Sequence, residues 1–467
     1  MKSACMSTFA QRATLFSAAL LCVLPMTTSA VDQTVTFNVN TTVDAVDDNA
    51  GDGLCRTGAN SCSLRAAIMQ ANQTQTNGKV VINVPAGLYR LSIAPAGSNA
   101  DNSGDLNLAT PFDLSQTLEI RGASALTTII DGNQLDRVMS VQQNRTASIA
   151  DVTVRNGFLQ GGAPTASGGV DNRGSLTLSR CIVEGNRAST SEGGGIVNIS
   201  VLTVQHSIVR DNVARSGGGI YALGPTTIEA SRIERNSAIS GGGIANSASV
   251  RLVDSTISGN SASTDGGGIF NIGTLTVLSS TLSGNSANTN GGGIENRGNA
   301  FVYSASVINN DADHDRDETG GIGGGVHTTA SARTVVVNTL VAVNTILDAP
   351  ITNDCSGTLE VYGRNLFGDL SGCVFTGNGN AARGLVSVGT IGPLRDNGGP
   401  TTTHALLVGS EAIDSTTAQG CIADNGALLS TDQRGAPRAA GVRCDVGAFE
   451  FGAVVDRIFI NGFDGDR

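Results

Sequence analysis

Between Gly168 and Asn310 a glycine run recurs with unusual regularity. GGV ends at Val170, and GGGI ends at Ile196, Ile220, Ile244, Ile269 and Ile294. Each end residue is followed sixteen positions later by an asparagine: Asn186, Asn212, Asn236, Asn260, Asn285 and Asn310. From each asparagine to the next apolar end the spacing is instead 10, 8, 8, 9, 9 and 16 residues, the last reaching Val326. A constant stretch joined by a variable one confines all insertions to one loop per unit and holds the rest in register.

Aligning the units on the asparagine exposes apolar columns. Eight positions before it stand Leu178, Val204, Ile228, Leu252, Val277 and Val302; three before it stand Val183, Val209, Ile233, Ile257, Leu282 and Val307. Alternation by two within each short stretch means strand, and recurrence of the columns every 24 to 26 residues means stacked coils. A unit this short cannot bury its apolar face alone, so neighbours stack strand on strand at roughly 4.8 Å per coil. The expected fold is all-β, a right-handed single-stranded parallel β-helix. A leucine-rich repeat lacks support, because its helix signature is missing. Sixty-one glycines with only ten prolines and no tryptophan suit repeated tight turns better than a disordered linker.

Five positions before the asparagine stand Cys181, Ser207, Ser231, Ser255, Ser280 and Ala305. That column demands a small side chain, which makes Cys181 a packing residue and a buried free thiol, not a nucleophile. The asparagine column reads as an amide ladder along the helix axis.

The first thirty residues read as an export address: Lys2 and Arg12, the apolar run Leu15 to Leu24, then a small-residue ending at Ala30. The run is too short to span a bilayer, and cleavage after Ala30 is expected. The chain carries 29 basic against 40 acidic residues, and Lys79 is the single lysine beyond residue 30. Such a balance offers no electrostatic footprint for nucleic acid or anionic membrane. Export permits disulfides between sequence neighbours: Cys55 with Cys62, Cys355 with Cys373, and Cys421 with Cys444.

A bare solenoid exposes its core at both ends, so caps are expected. Ser63 can N-cap a helix over LRAAIMQA, whose Leu64, Ala67, Ile68 and Ala71 share one face. The expected layout is a signal peptide over 1–30, an N-terminal cap over 31–79, a β-helix over 80–375, a C-terminal cap over 376–451 and a short tail over 452–467.

The segment VNTTVDAVDDNAGDGLCRTGANSCSLRAAIMQAN resembles the CSLREA module, with Ala66 where that name has Glu. The stretch from NLFGD through GPLRDNGGPTTTHALLVGSEAID to DQRGAPRAAGVRCDVGAFE resembles the C-terminal module of choice-of-anchor Q proteins. The GGGI repeats are similar to those of chlamydial polymorphic outer membrane proteins, although the phenylalanine that family places before the asparagine is here Val, Ile or Leu. These resemblances imply an exported repeat protein and leave its activity open. The tail RIFINGFDGDR looks like short endings on exported proteobacterial proteins. It contains no apolar span, wall-sorting signal or set of barrel strands, and no transmembrane segment is expected in the mature chain.

The expected role is that of a non-catalytic exported or cell-surface β-helix, adhesin-like or structural in the envelope. It would be a monomer, without nucleic-acid partners, presenting coil loops to an extracellular protein or glycan. The competing expectation is a polysaccharide lyase or glycoside hydrolase, since pectin-lyase-like helices often carry such sites on an outer face. That chemistry needs paired carboxylates, or calcium-binding acids with a base. The four histidines, His206, His314, His327 and His404, are scattered in sequence, and aromatic platforms for sugars are few. No catalytic, cofactor-binding or metal residue is therefore assigned. Calcium remains an alternative at two acidic stretches, Asp44, Asp47, Asp48 and Asp52, and Asp311, Asp313, Asp315 and Asp317. Both also read as ordinary turn and loop chemistry. The stretch from Asp311 to Gly323 is expected to project as a dispensable loop.

Overall fold

The computed structural model describes residues 33–455 apart from 77, 97–101, 110–115, 160, 162–165, 316–319, 347–350, 378–387 and 439–440. The expected signal peptide and most of the C-terminal tail lie outside the described residues.

One coil shows how the repeat is used. Ile220–Ala222 is a strand on the first face, Thr226–Glu229 on the second and Arg232–Glu234 on the third; Ser237–Ala238 is a two-residue strand on a narrow fourth side. Each is parallel to, and in register with, its counterparts one repeat earlier and later. Ile220 pairs with Ile196 and Ile244, and Ile233 with Val209 and Ile257. The first two faces share a 22-stranded sheet, and the third is an 11-stranded sheet. The chain is thus a parallel β-helix. Its core is made of the expected columns: Val183, Val209, Ile233, Ile257, Leu282 and Val307 are each at most 1% exposed. Burying a side chain of this size contributes about 1.5–3 kcal/mol.

Three corners of each coil adopt left-handed backbone, as at Ala230 (φ 47°), Arg235 (φ 53°) and Gly241 (φ 65°). The corner between second and third faces is filled by Arg180, His206, Ala230, Asp254, Ser279 and Ser304, all at positive φ. Side chains there cost on the order of 1–2 kcal/mol, offset by hydrogen bonds between coils. The glycine triplet has two separate causes. Its first member carries the positive φ. Its second and third members stack against the next triplet: a Cβ on Gly242 would lie 2.4 Å from Ser261 O and 2.5 Å from Gly267 O, and one on Gly243 2.6 Å from Gly268 O. Any side chain would push the coils apart.

Polar columns line the inside of the corners. Asn186, Asn212, Asn236, Asn260, Asn285, Asn310 and Asn344 form a continuous ladder, each amide nitrogen donating to the next Oδ1 at 2.8–3.0 Å. Ser207, Ser231, Ser255 and Ser280 form a second, each hydroxyl accepting the backbone N–H of the preceding coil's small residue at 3.0–3.1 Å. Cys181 begins that column, fully buried and free, its thiol pushed up to about 11 by burial. A further ladder escaped the sequence reading: Asn172 to Asn198, and Asn246 to Asn271 to Asn296. It lies two residues after the GGGI/V ends at Val170, Ile196, Ile244, Ile269 and Ile294, and is interrupted at Ala222.

The parallel sheet begins earlier than residue 80, since Thr34–Asn38 pairs in parallel with the strand Lys79–Val84 as a first rung. Between these two strands lies the helix Leu64–Gln73, with Ser63 Oγ accepting Ala66 N–H at 3.0 Å and Leu64, Ala67, Ile68 and Ala71 buried. Arg65, only 1% exposed, fastens it through Asp44 and the carbonyls of Gly104 and Asp105.

The C-terminal segment packs along the flank of the rod. Ile308, Leu340, Ala342 and Leu366, pointing outward from the third face, share an apolar cluster with Ala405, Leu406, Ala412, Val446 and Phe449. Gln433 reaches Thr256 Oγ1 and Thr281 Oγ1, His404 Nε2 meets Ser283 Oγ at 2.8 Å, and Thr401 donates to Asp254 O. The segment expected over 376–451 as an end cap is, over its described residues, a lateral buttress. The outward apolar residues of the third face near this end require a lateral cover, whereas Ile182 and Ile208, outward on the same face nearer the N-terminal end, cluster with Ala125.

All three disulfides, Cys55–Cys62, Cys355–Cys373 and Cys421–Cys444, are formed. Among the described residues no helix is long and apolar enough to cross a membrane.

Candidate functional site on the first face

The repeated columns are consumed inside the rod, so chemistry must lie in columns that vary and face outward. The first-face position between the GGGI/V end and the inner asparagine is the clearest. It reads Asp171, Val197, Tyr221, Ala245, Phe270, Glu295, His327 and Ser356 along consecutive register partners. The glycine corner folds over this column, for a Cβ on Gly193 would strike the Val197 side chain at 2.4 Å. Charged groups in it are consequently buried among partners.

Two clusters result. Near the N-terminal end Asp171 is fully buried, with Arg137 at 3.0 Å and Arg173 at 3.1 Å, and Arg137 also reaches Asp105 at 2.8 Å. Near the C-terminal end Glu295, also fully buried, accepts from Arg297 Nε at 2.8 Å and lies 2.6 Å from His327 Nδ1. Arg297 Nη2 continues to Asp265 at 2.6 Å, and its guanidinium stacks over Phe270 at 4.9 Å. Among the described residues, this buried carboxylate held by a guanidinium and an imidazole is where a histidine and acids distant in sequence converge on this face.

The other histidines are placed differently. His206 occupies a left-handed corner, His314 bonds exposed to Asp311 at 3.0 Å, and His404 is buried under the buttress, its pKa lowered by burial.

The first acidic stretch is engaged in its own turn. Asp47 accepts the N–H groups of Asn49 and Arg56, Asp48 pairs with Arg56 at 2.9 Å, and Asp52 accepts Leu54 N–H. Asp44 holds Arg65 and the N–H groups of Ser92 and Ile93. The second stretch corrects the expected projecting loop. Asp311–Ala312 is a strand of the narrow fourth side, paired with Ser286 and with Thr345–Ile346, and Asp313 is 1% exposed. Asp311 accepts from Thr345 Oγ1 at 2.9 Å. Asp311, Asp313 and Asp315 therefore do not share an exposed side; Asp317 lies outside the described residues. The rod's own pairing claims Asp311 and Ala312, Asp313 is buried beside them, and His314 and Asp315 are exposed. Among the described residues no group of three or more His, Cys, Asp or Glu is disposed to hold a metal ion.

One family model matches: the Chlamydia polymorphic membrane protein repeat, over residues 254–272. That span is most of one coil, from the Asp254 corner through the strand Thr256–Ser258, Asn260 and the glycine triplet to Ile269–Asn271, stopping short of the next second-face strand. No curated protein and no solved structure matches the chain significantly.

Proposed function

We propose that this chain is an exported, surface-located β-helix that presents the outward columns of a rigid rod to an extracellular protein or glycan, as an adhesin or envelope structural protein does. One observation carries this reading: the repeated asparagine and serine ladders inside the rod are spent on bonds between coils, while the outward column of the first face changes identity at each rung. A scaffold held independently of its surface tolerates any surface. The match of one coil to a repeat of membrane proteins supports the location. So do the secretory pattern of residues 1–30, the resemblances of both ends to CSLREA and choice-of-anchor Q modules, and three disulfides.

The rod is read as acting on no glycosidic bond. The two carboxylates nearest each other in the His327 cluster, Glu295 and Asp265, are both tied to Arg297, and hydrolysis needs one of them free to protonate or attack. Brief protease treatment of intact cells, followed by immunoblotting of surface, periplasmic and culture fractions, tests the location. Full protection in intact cells together with a purely periplasmic pool would refute it. Screening purified protein against extracellular polysaccharides tests the second point, and chain shortening of any of them would refute it.

A further inference from the structure

We propose that Glu295, His327 and Ser356, on three consecutive rungs of the first face, form a centre that hydrolyses small acyl esters. The three are register partners in one column, Glu295 with His327 and His327 with Ser356. Adjacent rungs lie about 4.8 Å apart, so the three side chains follow one another in Glu–His–Ser order; the Glu295–His327 bond is formed, and the relay closes when the Ser356 hydroxyl turns toward Nε2, to which it is not bonded in this structure. Glu295 is fully buried and meets His327 Nδ1 at 2.6 Å, which fixes the ring and keeps the proton on Nδ1. The two ring nitrogens lie on opposite sides of the ring's long axis. Turning Nδ1 toward rung 295 leaves Nε2 on the side of rung 356. Among the described residues Nε2 has no partner, and His327 keeps 13% of its side chain open to solvent.

Ser356 is half-buried on the next rung. Its strand is anchored on one side by the Cys355–Cys373 disulfide and kinked on the other at Gly357 (φ 89°), where a Cβ would fall 2.0 Å from Thr328 O. The serine thus stands at a fixed bend between two faces, a placement that exposes a nucleophile. The coil that carries His327 is also the one preceded by the enlarged 16-residue spacing. With Asp265 and Glu295 in the cluster and an acidic chain around it, an uncharged substrate suits the site better than an anion.

The step balances with water as co-reactant. Ser356 Oγ attacks the acyl carbon while its proton passes to His327 Nε2. The alcohol leaves, taking that proton, and an acyl-serine remains. Water, deprotonated by His327, releases the carboxylic acid and restores the serine. The ester chemistry goes beyond the scaffold reading and stands without it; only the carrier, an uncharged acylated glycan, rests on a surface location.

The full chain, purified with its disulfides, is treated with a fluorophosphonate probe and assayed on 4-nitrophenyl acetate. The expected result is one labelled site, Ser356 by peptide mapping, and a hydrolysis rate about 10³-fold lower in S356A. H327Q should lose both label and rate; E295Q should keep part of each. No label at Ser356, or a rate unchanged in both S356A and H327Q, overturns the centre. Acetate released from acetylated xylan by wild type but not by S356A supports the glycan carrier. Cleavage of the aryl ester without it overturns the carrier and keeps the centre.

Discussion

Removing one rung of the amide ladder should weaken the rod by an amount that depends on where the rung sits. Asn260 Nδ2 donates to Asn285 Oδ1 and to Ile233 O, both at 2.9 Å; its Oδ1 accepts from Asn236 N and Asn236 Nδ2, both at 3.0 Å. Asn260→Ala loses all four bonds and leaves the buried Asn236 N–H with no acceptor. At about 1 kcal/mol net per bond, with a further cost of about 1–3 kcal/mol for a stranded donor, the loss is about 5–7 kcal/mol before relaxation. Asn186, at the start of the ladder, makes one bond fewer: its Oδ1 accepts only Gly157 N, while Nδ2 reaches Asn212 Oδ1 and Val154 O. Asn186→Ala should therefore cost about 1 kcal/mol less. Urea unfolding followed by circular dichroism gives both values, and hydrogen exchange shows whether the loss stays in neighbouring coils, as nearest-neighbour stability requires. A cost below about 1 kcal/mol for Asn260→Ala, or a larger one for Asn186→Ala, would refute the ladder as a source of stability.

Burial under the buttress pushes Asp254 up to about 7, with Glu229 and Asp432 adding to the shift and Arg438 and Arg251 opposing it. Its folded pKa is raised, so its contribution is fully present below about pH 4 and is lost as pH rises toward 7. Asp254→Asn should flatten that part of the stability–pH curve, and an unchanged slope between pH 4 and 7 would contradict the burial argument. His404 has the opposite sign, its lowered pKa subtracting stability as pH falls below its unfolded value, so His404→Gln should steepen the gain on acidification. Non-reducing peptide mapping should recover the three disulfides with Cys181 alkylated only after unfolding; any crosslink through Cys181 defeats the small-residue column. Excising residues 315–319, while keeping the strand Asp311–Ala312, should leave the unfolding midpoint nearly unchanged, whereas removing Asp311–Asp313 as well should lower it clearly.

The rod was legible because its constraints repeat. Sixteen-residue spacing is what remains when three strands and two corners have fixed length. The Cys181 column predicted a small buried site because one residue of the series could be read from five others. The first rung was missed because Thr34–Asn38 is separated from its partner by the helix, so no spacing links them. The buttress was misjudged for a related reason: its contacts with Thr256, Thr281 and Ser283 span more than a hundred residues and carry no period. The candidate site is harder still. Glu295, His327 and Ser356 stand in a column with no consensus, and intervals of 32 and 29 residues reveal a neighbour relation only once the enlarged loop has been assigned to its coil.

The end of the ladder shows how such a column can mark position. Each asparagine accepts from the coil before and donates to the coil after, so the series has a direction and needs a final acceptor with nothing to donate. Asp354 meets that requirement. Its Oδ1 takes both Asn344 N at 3.0 Å and Asn344 Nδ2 at 2.8 Å, and its Oδ2 takes Asp369 N at 2.6 Å. An asparagine there would turn its amide NH2 toward one of those donors. Burial raises the Asp354 carboxyl to about 6, so the terminator is itself costly as an anion and is tolerated because three N–H groups point at it. Two residues later the chain reaches Ser356 and the kink at Gly357. The stop of the inner ladder and the outward serine are therefore set by the same short segment, with the Cys355 disulfide between them. A rod whose middle coils are interchangeable acquires a distinct chemical location only where its repeat ends, and that is where the acid, the imidazole and the hydroxyl come into line.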